Sequence, residues 1–232
     1  MKTLGIIQPG RIGDIILLLP AAKFLHDRGY KVFWPIFSEY VSMFSDVVDY
    51  VTFIPVSNNI YTCIKESYNS LKKINIDKII DIAATFPDSI CTEEYQKKGD
   101  GLGNIKFDEF KYNLLNVPIN EKWNFKINRN TEKEEELYNQ YIVSKEYAVV
   151  SLNYSGGRIN VKFDSDSKQV VEINSKHNFF HWIKILENAQ VIALVESSMS
   201  NLVEQLNLPN KKILFTKPDM RLPTLKGNWR IL

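Results

Sequence analysis

The chain has 232 residues, 44% of them hydrophobic and 24% charged, an ordinary globular balance with room for one large domain or two small ones. Twenty-nine Lys and Arg against 27 Asp and Glu leave a formal net charge of +2, too even for the basic stripe that a nucleic-acid partner requires. Ile15 to Ala22, the longest apolar run after the first strand, is broken by Pro20 and too short to cross a bilayer. The opening residues do not resemble a signal peptide, so a cytoplasmic protein without an integral membrane segment is expected.

Thr3 to Gln8 is a short apolar run stopped by Pro9-Gly10, which predicts a buried strand. Ile12 to Arg28 predicts a helix closed by Gly29. Strands are expected at Lys31 to Ile36, Tyr50 to Val56 and Asp77 to Ile82, with a short helix from Ser38 to Phe44 and a longer one from Tyr61 to Lys73 between them. This strand–helix rhythm predicts a parallel, doubly wound sheet. Ala83 to Gly103 is less regular, with an exposed loop expected over 97–104. Phe107 to Leu115 predicts a helix, Glu121 to Asn130 leaves room for a short strand, and Thr131 is placed to cap an acidic helix from Glu132 to Val143.

A second α/β half is expected to begin at residue 145, which divides the chain into 1–144 and 145–232. Tyr147 to Leu152 predicts its first strand, followed by the loop Asn153 to Arg158. Ile159 to Phe163 and Lys168 to Ile173 fit two strands across the turn Asp164-Ser165-Asp166-Ser167, because the spacing is too short for a helix with its loops. A helix from Phe179 to Glu187, a strand from Gln190 to Val195, a helix capped by Ser197 or Ser198 and running to Leu206, and a last strand, Lys211 to Phe215, complete a trimmed C-terminal half.

Two strand–loop–helix junctions carry the chemistry-bearing residues. The first is Gln8-Pro9-Gly10-Arg11-Ile12-Gly13-Asp14. Free N–H groups at a helix start favour anions, and Gly10 and Gly13 permit close backbone approach. A dinucleotide fingerprint needs a third glycine and a carboxylate about 20 residues on. Both are missing, which argues against an NAD-dependent oxidoreductase. Asp14 sits in the first helical turn, where it either complements the helix dipole or faces a crevice and accepts a proton. The second junction is Glu196-Ser197-Ser198-Met199-Ser200-Asn201. Here a helix start and two hydroxyls suit a diphosphate, or form a plain cap.

Other patterns favour structural readings. Asp164-Ser165-Asp166 has metal-binding spacing but is ordinary turn composition. His177 and His181 are four residues apart with no third ligand following. Cys63 and Cys91 lack the spacing of a metal or redox pair and read as small buried apolar residues.

The stretch GIIQPGRIGDIILLLPAAKFL resembles the N-terminal signature of the family 9 glycosyltransferases, the heptosyltransferases of lipopolysaccharide core synthesis: a strand, a loop ending in Gly-Asp (Gly13-Asp14), then an apolar helix with Leu19-Pro20-Ala21. HNFFHWIKILENAQVIALVESSMSNLVEQLNLPNKKILF is similar to the family's C-terminal signature. Glu196, Ser197 and Ser198 stand where the family has Asp-Thr-Gly, and Asn201 where it has histidine. The resemblance covers about the first 40 and the last 50 residues.

It implies the two Rossmann-like halves of the GT-B architecture and an inverting transfer from a nucleotide-diphosphate sugar to a glycan or glycolipid hydroxyl, with no metal and no further cofactor. Asp14 would be the base, with Gly10, Arg11 and Gly13 on the acceptor side. Ser155, Arg158, Glu172, Glu196, Ser197, Ser198 and Asn201 would hold the donor, with Arg158 against the leaving diphosphate. The alternative is a GT-B-like module that binds a nucleotide or sugar without chemistry.

Overall fold

The computed structural model describes residues 2–98, 105–161, 163, 166–216 and 222–232. The chain forms two compact units, 1–128 and 129–232.

In the first unit, strands β1 (Lys2–Ile7), β2 (Tyr30–Phe37), β3 (Val51–Val56) and β4 (Lys78–Asp81) form a wholly parallel sheet in the order β3-β2-β1-β4. β1 is buried from Leu4 onward, as a strand covered on both faces must be. Helix α1 (Ile12–Asp27) follows β1, and its residues Ile15 to Ala22 are all buried. It runs through Pro20 and ends at Gly29, which takes the positive φ of 87° that the reversal needs. Helix α2 (Val41–Ser45) follows a 3-10 turn at Ser38–Tyr40, and α3 (Cys63–Lys73) packs its Cys63, Ile64 and Leu71 into a core with Ile7, Phe37 and Val56.

Three further elements complete the unit. Helix α4 (Ile90–Lys98) occupies part of the stretch expected to be irregular, while 99–104 lies outside the described residues. Helix α5 (Phe107–Leu114) is where the sequence placed it. Ile119–Trp123 is a 3-10 turn, and the short strand considered over Glu121 to Asn130 does not form. Below that turn lies a fully buried ion pair, Lys122 Nζ to Asp108 Oδ2 at 2.7 Å.

The second unit opens with α6 (Thr131–Tyr141), capped one residue earlier than expected by Asn130, whose side chain accepts from Lys133 N–H at 3.1 Å. The sequence reading assigned this helix to the first half. In the structure Arg129 ties it to α7 (Ile183–Asn188), bonding Glu134 and, at 2.6 Å, Glu187.

Strands β5 (Tyr147–Ser151), β8 (Gln169–Glu172), β9 (Val191–Val195), β10 (Lys211–Phe215) and β11 (Trp229–Ile231) form a parallel sheet in the order β11-β10-β9-β5-β8. Read from the β8 edge, the strands are second, first, third, fourth and fifth in chain order, a doubly wound arrangement.

Two expectations are corrected here. The hairpin after β5 is β6 (Asn153–Tyr154) with β7 (Gly157–Arg158), not 159–163 with 168–173. β8 instead returns parallel to β5, and the crossover is an apolar strap. Ile159, Val161 and Phe163 pack on Val150, Leu152, Ala193, Ile213 and Phe215, covering the face that a crossover helix would otherwise cover. Lys211 to Phe215 is also not the last strand, because β11 pairs beyond it. Helix α8 (Ser198–Leu206), capped by Ser197, links β9 to β10.

Candidate functional site

In an open parallel sheet, ligands bind beyond the carboxyl ends of the strands, where the strand order reverses. In the first unit that point lies between β1 and β4. The chain leaving β1 turns through Pro9, Gly10 and Arg11. Pro9 C=O accepts from Phe37 N–H at 2.6 Å, which brings the end of β2 against the loop. A Cβ on Gly10 would lie 2.4 Å from the Phe37 ring, so this turn is closed to any larger residue. Arg11 adopts a positive φ of 62° and its C=O receives the Asp14 and Ile15 N–H groups, which starts α1. The Arg11 guanidinium is exposed and lies 5.9 Å from the centre of the Phe86 ring. Gly13 is half-buried on the first turn.

Asp14 keeps 12% of its side chain exposed and stands in a polar network that the sequence reading did not contain. Lys111 Nζ, fully buried, lies 3.4 Å from Asp14 Oδ1 and donates to Gln8 Oε1 at 2.5 Å. The Gln8 amide donates to Gly10 C=O at 3.0 Å and reaches Asp14 Oδ2 at 3.4 Å. Burial holds the Lys111 ammonium below the ordinary lysine range, and the Asp14 charge acts against that shift.

At the end of β4, Asp81 is buried. Its Oδ1 accepts from Ala83 N–H at 3.0 Å and from the Ser89 hydroxyl at 2.8 Å. Desolvation pushes the Asp81 carboxyl up, against those bonds and the Lys111 charge. The strand–loop–helix pattern could locate Asp14. The signal for Lys111 was weaker: a lysine in the apolar stripe Phe107, Lys111, Leu114 of an amphipathic helix.

In the second unit the reversal lies between β5 and β9. The two donor groups expected from sequence both leave these strands at their carboxyl ends. Ser155 is exposed in the β6–β7 turn. Arg158 and Glu172, chosen separately, bond each other on the surface, with Arg158 Nη2 3.3 Å from Glu172 Oε2 and Nη1 3.4 Å from Asn153 Oδ1. Glu172 raises the proton affinity of Arg158 further.

Beyond β9, Glu196 is half-buried and its N–H donates to Phe215 C=O at 3.2 Å. The Ser197 hydroxyl donates to Val195 C=O at 3.1 Å, and Ser197 N–H donates to Ser200 Oγ at 2.9 Å. Ser198 is half-buried on the first turn and Asn201 is buried in the second.

Asp164 and Ser165 lie outside the described residues. His177 Nε2 is 3.1 Å from the Tyr141 hydroxyl.

No family model and no curated protein matches the sequence. Solved structures do match. The family 9 glycosyl transferase of Veillonella parvula is similar over 100% of this chain and 85% of its own, with a TM-score of 0.64 at 10% identity. Escherichia coli ADP-heptose lipopolysaccharide heptosyltransferase II is similar over 100% and 90%, with a TM-score of 0.62 at 13% identity. E. coli heptosyltransferase WaaC, solved with ADP, is similar over 99% and 92%, with a TM-score of 0.57 at 15% identity. The chain therefore has the α/β fold of these transferases, with parallel sheets in both units, as the two sequence signatures implied. Among the described residues, no helix is long and apolar enough to cross a membrane.

Proposed function

We propose that this chain is a glycosyltransferase that moves a sugar from a nucleoside-diphosphate sugar to a hydroxyl of a glycan or glycolipid acceptor, inverting the anomeric carbon without a metal. The observation that carries the reading is the Asp14 carboxylate. It is open to solvent at the strand-order reversal of its sheet and anchored by a buried ammonium, in a chain whose whole length shares the family 9 fold. Solved neighbours hold ADP or ADP-2-deoxy-2-fluoro heptose, which supports an ADP-sugar as the first donor to test. Two free buried thiols fit a reducing compartment, so the proposal places the reaction in the cytoplasm.

The step balances as one displacement. The acceptor oxygen attacks the anomeric carbon while its proton passes to an Asp14 oxygen. The bond from that carbon to the diphosphate breaks and its electron pair leaves with the nucleoside diphosphate. Asp14 then returns the proton to solvent. In the second unit, the N–H groups opening α8, the Ser198 hydroxyl and the Arg158 guanidinium are the groups suited to the leaving charge. Arg158 would exchange its Glu172 partner for a phosphate oxygen, releasing Glu172 for ribose hydroxyls. Arg11, exposed beside the Asp14 turn, suits an acceptor oxygen.

A thermal-shift series with ADP, UDP, GDP and their sugars, with and without Mg²⁺, tests donor binding. A ligand at a hundredfold excess over its dissociation constant stabilises the fold by about 2.7 kcal/mol. One nucleotide should shift the melting temperature equally with and without Mg²⁺. On the sugar nucleotide so identified, Asp14→Asn should lower transfer at least a hundredfold, within the usual range for a general base, with donor affinity kept. Full transfer by that variant would remove Asp14 from the base role.

A second reading, nucleotide binding without transfer, is favoured by the Ser197 hydroxyl being spent on Val195 C=O and by the Arg158–Glu172 pair. It predicts the same thermal shift with no sugar transfer by the unaltered chain.

A further inference from the structure

We propose that Lys111 is a positioning residue for Asp14: its buried ammonium, working with the Gln8 side chain, orients and electrostatically anchors the Asp14 carboxylate at the mouth of the first sheet. The inference deepens the transferase reading and rests on it for the meaning of Asp14, but the side-chain network stands on its own geometry.

Three separate segments build the device. Gln8 follows β1, Asp14 lies in the first turn of α1, and Lys111 comes from α5, distant in sequence. Lys111 Nζ is shielded from water, with the Phe107 ring, one helical turn earlier, 4.2 Å away. On the open side it meets Gln8 Oε1 at 2.5 Å and Asp14 Oδ1 at 3.4 Å. Gln8 completes the ring, since its amide nitrogen bonds Gly10 C=O at 3.0 Å and reaches Asp14 Oδ2 at 3.4 Å. Each Asp14 oxygen thus has one long tether. An ionised carboxylate can accept about four hydrogen bonds, so lone pairs remain for an incoming hydroxyl.

Burying an ammonium is costly, and the fold gains little packing from a charged Nζ that an apolar side chain would not supply. Such an arrangement is typical of a functional site, where stability is given up for a fixed charge. Lys111 also feels Arg11, Asp81 and Cys91 from neighbouring elements. Two positive and two carboxyl groups therefore share this end of the unit. Among them Asp14 alone is both in ion-pair reach of Lys111 and open to solvent.

The test uses the full chain with lysine side chains labelled with ¹⁵N, in unaltered, Asp14→Asn, Gln8→Leu and Lys111→Met forms. The Lys111 ammonium should give a slowly exchanging ¹H–¹⁵N signal. Asp14→Asn should lower its proton affinity at least tenfold, and Gln8→Leu should speed its exchange. An unchanged Lys111 titration in Asp14→Asn would overturn the coupling, whatever the enzyme does.

The second measurement is ADP release from ADP-heptose with water as acceptor, across pH 5 to 9. Lys111→Met should lower kcat at least tenfold and alter the pH profile, with KM for ADP-heptose held within twofold. An unchanged kcat, or a loss that falls equally on kcat and KM, would reduce Lys111 to a structural part. If the unaltered chain binds ADP-heptose but releases ADP neither to water nor to an added glycan or glycolipid acceptor, the transferase reading fails, and the lysine titration still decides whether Lys111 and Asp14 act together.

Discussion

Asp14 and Lys111 show what a residue gains from its surroundings. The pattern Gly13-Asp14 at a helix start was legible because its meaning is local: a loop, a first turn, a carboxylate. Nothing local marked Lys111 as its partner, since the two meet only after α5 has packed beside α1. Arg158 and Glu172 are the converse. Both were chosen from sequence as ligand groups, and the fold joins them into an ion pair. The pair is exposed, so it contributes little to stability and can open for a ligand.

The two cysteines give a prediction at the same scale. Burial pushes the Cys63 thiol up to about 11 and that of Cys91 to about 12, against an ordinary value of 9.0. Between pH 9 and 11 the unfolded chain therefore gives up thiol protons that the folded chain keeps. Folded protein then binds more protons, and stability must fall as pH rises through that window. Urea midpoints at pH 8 and pH 10.5 should show the decline, and the double variant Cys63→Ala, Cys91→Ala should lessen it, the remainder coming from buried tyrosines such as Tyr50 and Tyr112, whose hydroxyls burial also pushes up. At pH 8 both thiols of the folded protein should resist iodoacetamide until denaturant is added.

At the scale of elements, the assignments that held depend on local order. β1 and α1 carry apolar runs and α8 an amphipathic stripe, each with stop signals at its ends, and each formed within a few residues of its expected bounds. Those that failed depend on distant partners. β11 is three residues long, Trp229–Ile231, too short to leave a pattern in the sequence.

β11 is held by Glu204, a carboxylate buried on α8 that an amphipathic reading would place in water. Its Oε1 accepts from Lys226 N–H at 2.6 Å and Gly227 N–H at 3.3 Å, and its Oε2 accepts from the Trp229 indole at 2.6 Å. Lys212 lies beneath, with Nζ on Leu208 C=O at 2.8 Å and 5.6 Å from the Trp229 ring centre. Bonds to a charged acceptor are worth about 1.5–3 kcal/mol each, so Glu204→Ala should cost about 3 kcal/mol or more. Hydrogen exchange should locate the loss. The amides of Lys226, Gly227 and Trp229 should exchange faster in the variant, with β1 and β2 unaffected; unchanged protection there would show that pairing with β10 alone holds the strand.

At the scale of the whole molecule, each unit has its own parallel sheet and its own reversal of strand order, so each has its own place for a ligand. This arrangement predicts a division of labour. In hydrogen exchange with saturating ADP, protection should appear at 153–158 and 196–201 in the second unit. The amides around Gly10 to Asp14 in the first unit should change little until an acceptor is added. Protection confined to the Asp14 loop would reverse the donor and acceptor sides.

The sequence by itself determined the two α/β halves, the order of their main elements, the absence of room for a helix between β5 and β8, and the position of Asp14 at a strand–helix junction. Those features follow from hydrophobic period, turn chemistry and spacing, which act over a few residues. Only the tertiary structure decided that α6 packs with the second unit and that the β5–β8 crossover is an apolar strap. The same is true of the Arg158–Glu172 pairing and of Lys111 beneath Asp14. Each of these is a meeting of residues far apart in the chain, set by which buried faces and charges can satisfy one another once the sheets have formed.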